Sequence, residues 1–217
     1  MRTLLLASLL PLGLLAQSKT LLENSRVRII SAVDVPHQKS ALHKHDPNRV
    51  MIYLSSGDQD ITPEGKEPQH NHWKAGDVAW SIGGPMHTSE VVSSSDLRIV
   101  EIEIKQPAPD KPPQRKRNLD PLALDPKNGK LIFENPQVRV YRATMPVGMR
   151  EKWHEHVGAG RAVVLLTDAS ARLESENGKF STLNGAPGDA FWTDGYIKHR
   201  GTNIGTAPAE MIVIEVK

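Results

Sequence analysis

The chain repeats itself, and the repeat limits what it can fold into. Glu23-Asn24-Ser25-Arg26-Val27-Arg28-Ile29 recurs as Glu134-Asn135-Pro136-Gln137-Val138-Arg139-Val140, an offset of 111 positions. His43-Lys44-His45 recurs at the same offset as His154-Glu155-His156. After one inserted residue the offset is 112: Gly76-Asp77-Val78-Ala79-Trp80 matches Gly188-Asp189-Ala190-Phe191-Trp192, and His87 matches His199. The closing runs RIVEIEIK (98–105) and EMIVIEVK (210–217) agree as well. Five matches in register mark a duplicated unit, so each half must close a domain of its own. Between the copies Pro107, Pro109, Pro112 and Pro113 fix the backbone and remove donors, which reads as an extended connector. The sequence thus divides into a first domain at 19–105, a connector at 106–130 and a second domain at 131–217, behind a leader at 1–18.

Each copy reads as all-β. Val50 to Leu54, Leu97 to Ile104, Ala162 to Leu166 and Met211 to Val216 are short runs rich in β-branched residues. Gly57, Gly65, Gly76, Gly83-Gly84, Gly178, Gly185 and Gly188 punctuate them, and no stretch keeps a helical period between caps. Many short strands in a small unit mean a sandwich or a barrel. A formal net charge of +2 is too small to argue for nucleic acid or an anionic membrane as partner. The basic run Arg115-Lys116-Arg117 reads as solvated connector.

Residues 1–18 read as an export signal: Arg2 is the positive start, Leu4 to Leu15 the apolar run, and cleavage falls near Ala16. That run is too short to span a bilayer comfortably, so the mature protein is expected to have no membrane span and to be periplasmic or extracellular. With no cysteine in the chain, disulfides contribute nothing there, and packing or bound metal must supply the stability.

His43 and His45, like His154 and His156, are two apart on what reads as a strand end, so both imidazoles share one face. If that face is a barrel interior, the paired nitrogens need a partner, and a metal ion satisfies both. His87 and His199, each eleven residues after its Gly-Asp turn, offer the third ligand.

These residues resemble the cupin superfamily over nearly the whole mature chain. The first cupin motif, glycine, five residues and His-x-His, is matched by Gly148 with His154 and His156; His43 and His45 match with Gln38 in the glycine's place. The second motif is matched by Gly76, Gly84 and His87, and by Gly188, His199 and Asn203, with Ile82 and Asp194 where its proline belongs. The resemblance implies two tandem double-stranded β-helix (jelly-roll) barrels, each with a divalent metal (Fe, Zn, Mn, Ni or Cu) on His43, His45 and His87 or on His154, His156 and His199. It also implies a small-molecule ligand and is compatible with a homo-oligomer. The family's glutamate ligand falls four or five residues after His-x-His, where this chain has Arg49 and Val50, or Gly160 and Arg161. The sites therefore resemble the three-histidine cupins, which include dioxygenases, and the second half keeps more of both motifs.

Three neutral imidazoles leave the ion its full +2 charge, which favours an anionic or chelating oxygen ligand. Arg49 and Arg161 are candidates to clamp a substrate carboxylate, or else surface residues paired with acids. Two functions compete. One is a metal-dependent enzyme on a small oxygen-rich or anionic molecule, dioxygenase-like before isomerase or hydrolase. The other is a non-catalytic binding or storage protein without essential metal. Glu90 and Asp194 are the acids closest to the motif positions. His37, His70 and His72 read as solvent-facing, Trp80 and Trp192 as packing residues, and Trp153 as an inter-barrel or inter-subunit contact.

Overall fold

The computed structural model describes residues 17–217; the export signal expected at 1–18 lies almost wholly outside the described residues. The first copy contributes β1 Gln17–Glu23, β2 Val27–Asp34, β3 Asn48–Tyr53, β4 Gly57–Pro63, β5 Gln69–Trp73, β6 Val78–Ser81, β7 His87–Val91 and β8 Leu97–Ile104. The second contributes β9 Gly129–Glu134, β10 Val138–Met145, β11 His154–His156, β12 Gly160–Leu165, β13 Ala169–Ser175, β14 Phe180–Gly185, β15 Ala190–Asp194, β16 Ile197–Asn203 and β17 Ala209–Val216. Each copy is a jelly roll of two facing antiparallel sheets. The large sheets run β1-β2-β8-β3-β6 and β15-β12-β17-β10-β9, the small ones β5-β4-β7 and β11-β16-β13-β14.

The repeated motifs are turn chemistry. Asn24 Oδ1 accepts from the Arg26 and Val27 amides, and Asn135 Oδ1 from those of Gln137 and Val138, closing the β1–β2 and β9–β10 turns identically. Gly76 and Gly188 take φ of 90° and 93°, open to glycine alone at little cost, and Asp77 and Asp189 tie each turn from within.

Alternation along the large-sheet strands divides two interiors. Val27, Ile29, Val50, Ile52, Val100, Ile102 and Ile104 point out of the first barrel, and Val138, Val140, Ala162, Val164, Ile212, Ile214 and Val216 out of the second. These outward residues meet in one buried aliphatic layer between the barrels, flanked by Trp80 and Trp192. The intervening residues face the barrel interiors, filled by Met51, Tyr53, Val91, Leu97 and Ile99 in one and by Tyr141, Val163, Leu165, Met211 and Val213 in the other. Strands such as β12 are consequently buried on both faces, which is why they read as continuous apolar runs.

The connector does not float in solvent. Arg117–Leu119 forms a 3-10 turn, and α1 Pro121–Leu124 follows with Asp120 capping the Leu122 amide. The reading of Arg115-Lys116-Arg117 as solvated is corrected for Arg115, whose guanidinium pairs at 2.8 Å with the wholly buried Glu215. Asp120 takes a bidentate pair from Arg139 at 2.9 and 3.0 Å, fixing the connector across the second barrel. The half-buried Trp153 ring carries the Arg200 guanidinium at 4.5 Å within its own barrel.

Because the aliphatic layer belongs to both barrels, they should unfold together. Ile102→Ala should cost about 2–5 kcal/mol in urea denaturation. A single transition is expected for wild type and variant; two separable ones would contradict the shared core.

Candidate metal and ligand sites

Strand pairing assembles each histidine triad. On β11 and β16 His154 lies directly opposite His199, and in the first barrel an isolated antiparallel bridge sets His43 against His87. His45 and His156 follow two residues on and face the same interior. The structure therefore brings together His43, His45 and His87, and likewise His154, His156 and His199, with each set's potential ligand atoms within 4.8 Å of one another. The first triad is half-buried; in the second each residue is 5% exposed or less.

The hydrogen bonds behind the rings suit metal ligation. His43 Nδ1 is held against the Ala41 carbonyl at 2.8 Å, His87 Nδ1 against Pro85 at 3.1 Å, and His154 Nδ1 against Lys152 at 3.0 Å. His156 Nδ1 contacts Glu215 Oε1 at 2.7 Å. Such partners hold the proton on Nδ1 and leave Nε2 free for a metal. In the second barrel His156 Nε2 and His199 Nε2 stand 3.2 Å apart. With Nδ1 of His156 donating to Glu215, its Nε2 presents a lone pair, and so does His199 Nε2, which accepts from Arg161. Two lone pairs facing at that distance call for a cation between them, and the gap suits two ligands each about 2.0–2.1 Å from one ion. The donor sets of both barrels fit a divalent metal.

Burial favours the neutral form of His45, His87, His156 and His199. It is the largest cause pressing His45 down to about 3 and lowering His87, with Arg49 adding to both. His156 and His199 are held well below the usual histidine range by burial first and the Arg161 charge second. Burial also raises the Glu215 carboxyl against the opposing charges of Arg115 and Arg139.

Arg49 and Arg161 both point into their barrels, 8% and 5% exposed, so neither is a surface residue. They differ in partner. Arg49 pairs with Glu101 at 2.8 Å. Arg161 Nη1 instead lies 3.0 Å from His199 Nε2, and no carboxylate among the described residues forms an ion pair with it. Gly160 cannot carry the family's glutamate: at φ 151° an added Cβ would run into the Trp192 ring. The inward position is therefore the next one, Arg161.

A cavity of about 310 Å³ opens beside the second triad. Apolar Leu122, Met149, Val163, Leu183 and Met211 line it alongside Arg161, Glu151 and the histidines, and α1 roofs it. Asp194 points elsewhere, accepting from Trp192 Nε1 at 2.7 Å, and does not line this cavity. Glu90 stands on β7 of the first barrel, its backbone registered against Asp60. Asn203, a motif residue, is structural: it ties Met145 and Ala207 through its amide. His70 and His72 are exposed and paired to Asp60 and Asp58.

Sequence reasoning missed Glu215, Glu151, Tyr141 and Arg115. Glu215 had a signal: it and Glu103 recur at one register as inward acids within an aliphatic strand. Arg115 had none, since its role depends on where the connector is laid.

No family model and no curated protein sequence matches the chain. Solved structures do. A Bacillus subtilis oxalate decarboxylase variant is similar with TM-score 0.65 and 14% identity over 92% of this chain and 72% of that one. Another structure of the enzyme, at the same values, concerns its Mn(II) centres. AerE from Microcystis aeruginosa is similar with TM-score 0.62 and 13% identity over 93% of this chain and 98% of its own. A cupin 2 conserved barrel domain protein from Leptotrichia buccalis gives 0.55 and 16% over 94% and 90%.

Histidines held neutral by burial make the metal-free fold sensitive to acid. Their unfolded forms bind protons below about pH 6.5 while the folded forms do not, so stability present above that pH is lost as it falls. Asp34, Glu101 and Glu215, raised by burial, act with the opposite sign, their contribution being present at low pH and lost as pH rises through their raised values, so they offset part of this loss. The melting temperature of metal-free protein should fall between pH 7 and 5. A flat profile in differential scanning calorimetry would show that the imidazoles are not buried neutral.

Proposed function

Since the chain folds as two cupin barrels in tandem, we propose that it is a secreted metalloprotein holding a divalent ion on its histidine triads and acting on a small oxygen-rich or anionic molecule in the second barrel, by dioxygenase-like chemistry. One observation carries this reading: the paired Nε2 atoms of His156 and His199 at 3.2 Å, with the His156 ring held from behind by Glu215, beside a largely apolar cavity. His154, His156 and His199 would hold the ion there, and His43, His45 and His87 in the first barrel. A metal held there would supply Lewis acidity at its full +2 charge and, if it were iron, manganese or copper, a redox-active centre. The Mn(II) centres of the similar oxalate decarboxylase support a divalent ion in such a barrel. The oxidative reading rests on the likeness of the donor set to three-histidine cupins.

The chain's own residues do the remaining work. Arg161 supplies the positive charge that orients an anionic group. Glu215, wedged between Arg115 and Arg139, holds His156 in one tautomer. Glu151 lines the cavity with Oε2 fixed by the Gly201 amide at 2.7 Å, placing a proton acceptor near a bound molecule. Leu122 and Leu124 give the cavity an apolar edge on the side of α1.

Protein purified without a histidine tag should contain divalent metal by elemental analysis. His199→Ala should lose the second barrel's share, and iron-loaded protein should consume oxygen with small β-diketones, thiols or enediols. Metal-free wild-type protein that takes up no added ion would end the metal reading.

Export belongs to the same proposal. N-terminal sequencing of protein from the native host should find a start within a few residues after Ala16, and an intact Met1 on cytoplasmic protein would refute secretion.

A further inference from the structure

The two barrels are copies, yet they differ at one inward register position beside the arginine. In the first, Met51 on β3 pairs with Glu101 on β8; in the second, the equivalent Val163 on β12 pairs with Val213 on β17. Glu101 is the carboxylate that holds Arg49 at 2.8 Å and compensates its charge. Val213 cannot do this for Arg161. That guanidinium, 5% exposed and without an acid partner among the described residues, turns to the triad and donates to His199 Nε2, an atom that would bind the metal.

Glu151 and Glu215 act on the Arg161 charge without forming an ion pair with it, so the buried cation is only partly compensated, and a second cation a few ångströms away raises the cost. The second triad is therefore in conflict with itself: its geometry invites a +2 ion, and Arg161 opposes one. A negative group on Arg161 removes the conflict. Val213 lines the same cavity, so the space that Glu101 fills in the first barrel belongs here to the ligand pocket.

We infer that the second barrel takes a carboxylate ligand whose charged end sits on Arg161 in the place of the missing glutamate, and that this ligand and the metal bind there cooperatively, while the first barrel binds metal without any ligand. The inference rests on the metal reading above and adds the ligand's class and the unlike behaviour of the barrels. The ligand's remainder is apolar, to match Leu122, Met149, Leu183 and Met211. Coupling is reciprocal: the metal must tighten the carboxylate by the factor with which the carboxylate tightens the metal.

The test titrates metal-free protein with Mn(II), following free Mn(II) by its paramagnetic resonance signal, with and without sodium hexanoate. Hexanol, of the same apolar body without the charge, is the control. Wild type should bind one ion independently of hexanoate and a second that tightens by about tenfold or more when hexanoate is present, with hexanol inert. Val213→Glu should bind two ions without hexanoate and lose the hexanoate effect, because the carboxylate is now built in. Glu101→Val should make both ions respond to hexanoate. Arg161→Gln should free the second site from the anion, which keeps the test decisive if Val213→Glu does not fold. Two ions bound by wild type with equal affinity and no response to hexanoate would overturn the inference and leave the metal reading standing. No binding by wild type or any variant would remove the metal reading itself.

Discussion

The aliphatic layer between the barrels is the constraint from which the rest follows. Each large sheet has one face toward its own interior and the other against its neighbour, so β3, β8, β12 and β17 are buried on both faces over most of their length. Burial of side chains such as Ile29, Ile52, Ile102, Ile212 and Ile214 contributes about 1.5–3 kcal/mol each relative to exposure. With the outer faces committed to the layer, the inner faces are free to carry Arg49, Glu101 and Glu103 in one barrel and Arg139, Arg161 and Glu215 in the other. These charges sit beside the histidines because alternation leaves them no other direction.

Much of this was legible in the sequence, because the repeat exposes it. A motif found twice in register is either a turn the fold needs or a site the chemistry needs. Asn24 with Asn135 and Gly76 with Gly188 are of the first kind, and the histidines are the candidates for the second. Strand existence was legible where both faces are apolar, as in Val50 to Leu54. The third histidine was legible from its distance to the Gly-Asp turn, and β11 and β16 place it opposite the first.

What the sequence hid depends on long-range placement. The inward charges were masked by their hosts, since one acid in an aliphatic run looks like noise until its partner strand is known. Arg115 and Asp120 lie in a proline-rich stretch with no periodicity, and only the path of the connector over the second barrel shows that they brace Glu215 and Arg139. The family's glutamate position was ambiguous by one residue, and backbone geometry resolved it. Gly160 sits where no side chain fits, leaving Arg161 as the inward residue.

The layer also has a history written in it. Every residue that one barrel contributes has its counterpart in the other: Val27 with Val138, Ile52 with Val164, Ile102 with Ile214. A patch that packs against its own copy is the mark of an isologous dimer. The chain has the form of such a dimer with its subunits fused through the connector. In a dimer of identical subunits, one gene sets both pockets, and a change that benefits one is imposed on the other. In a single fused chain each pocket has its own codons while the interface stays shared. One half can then carry a valine where its twin carries an acid, and inheritance can act on two unlike pockets within one body.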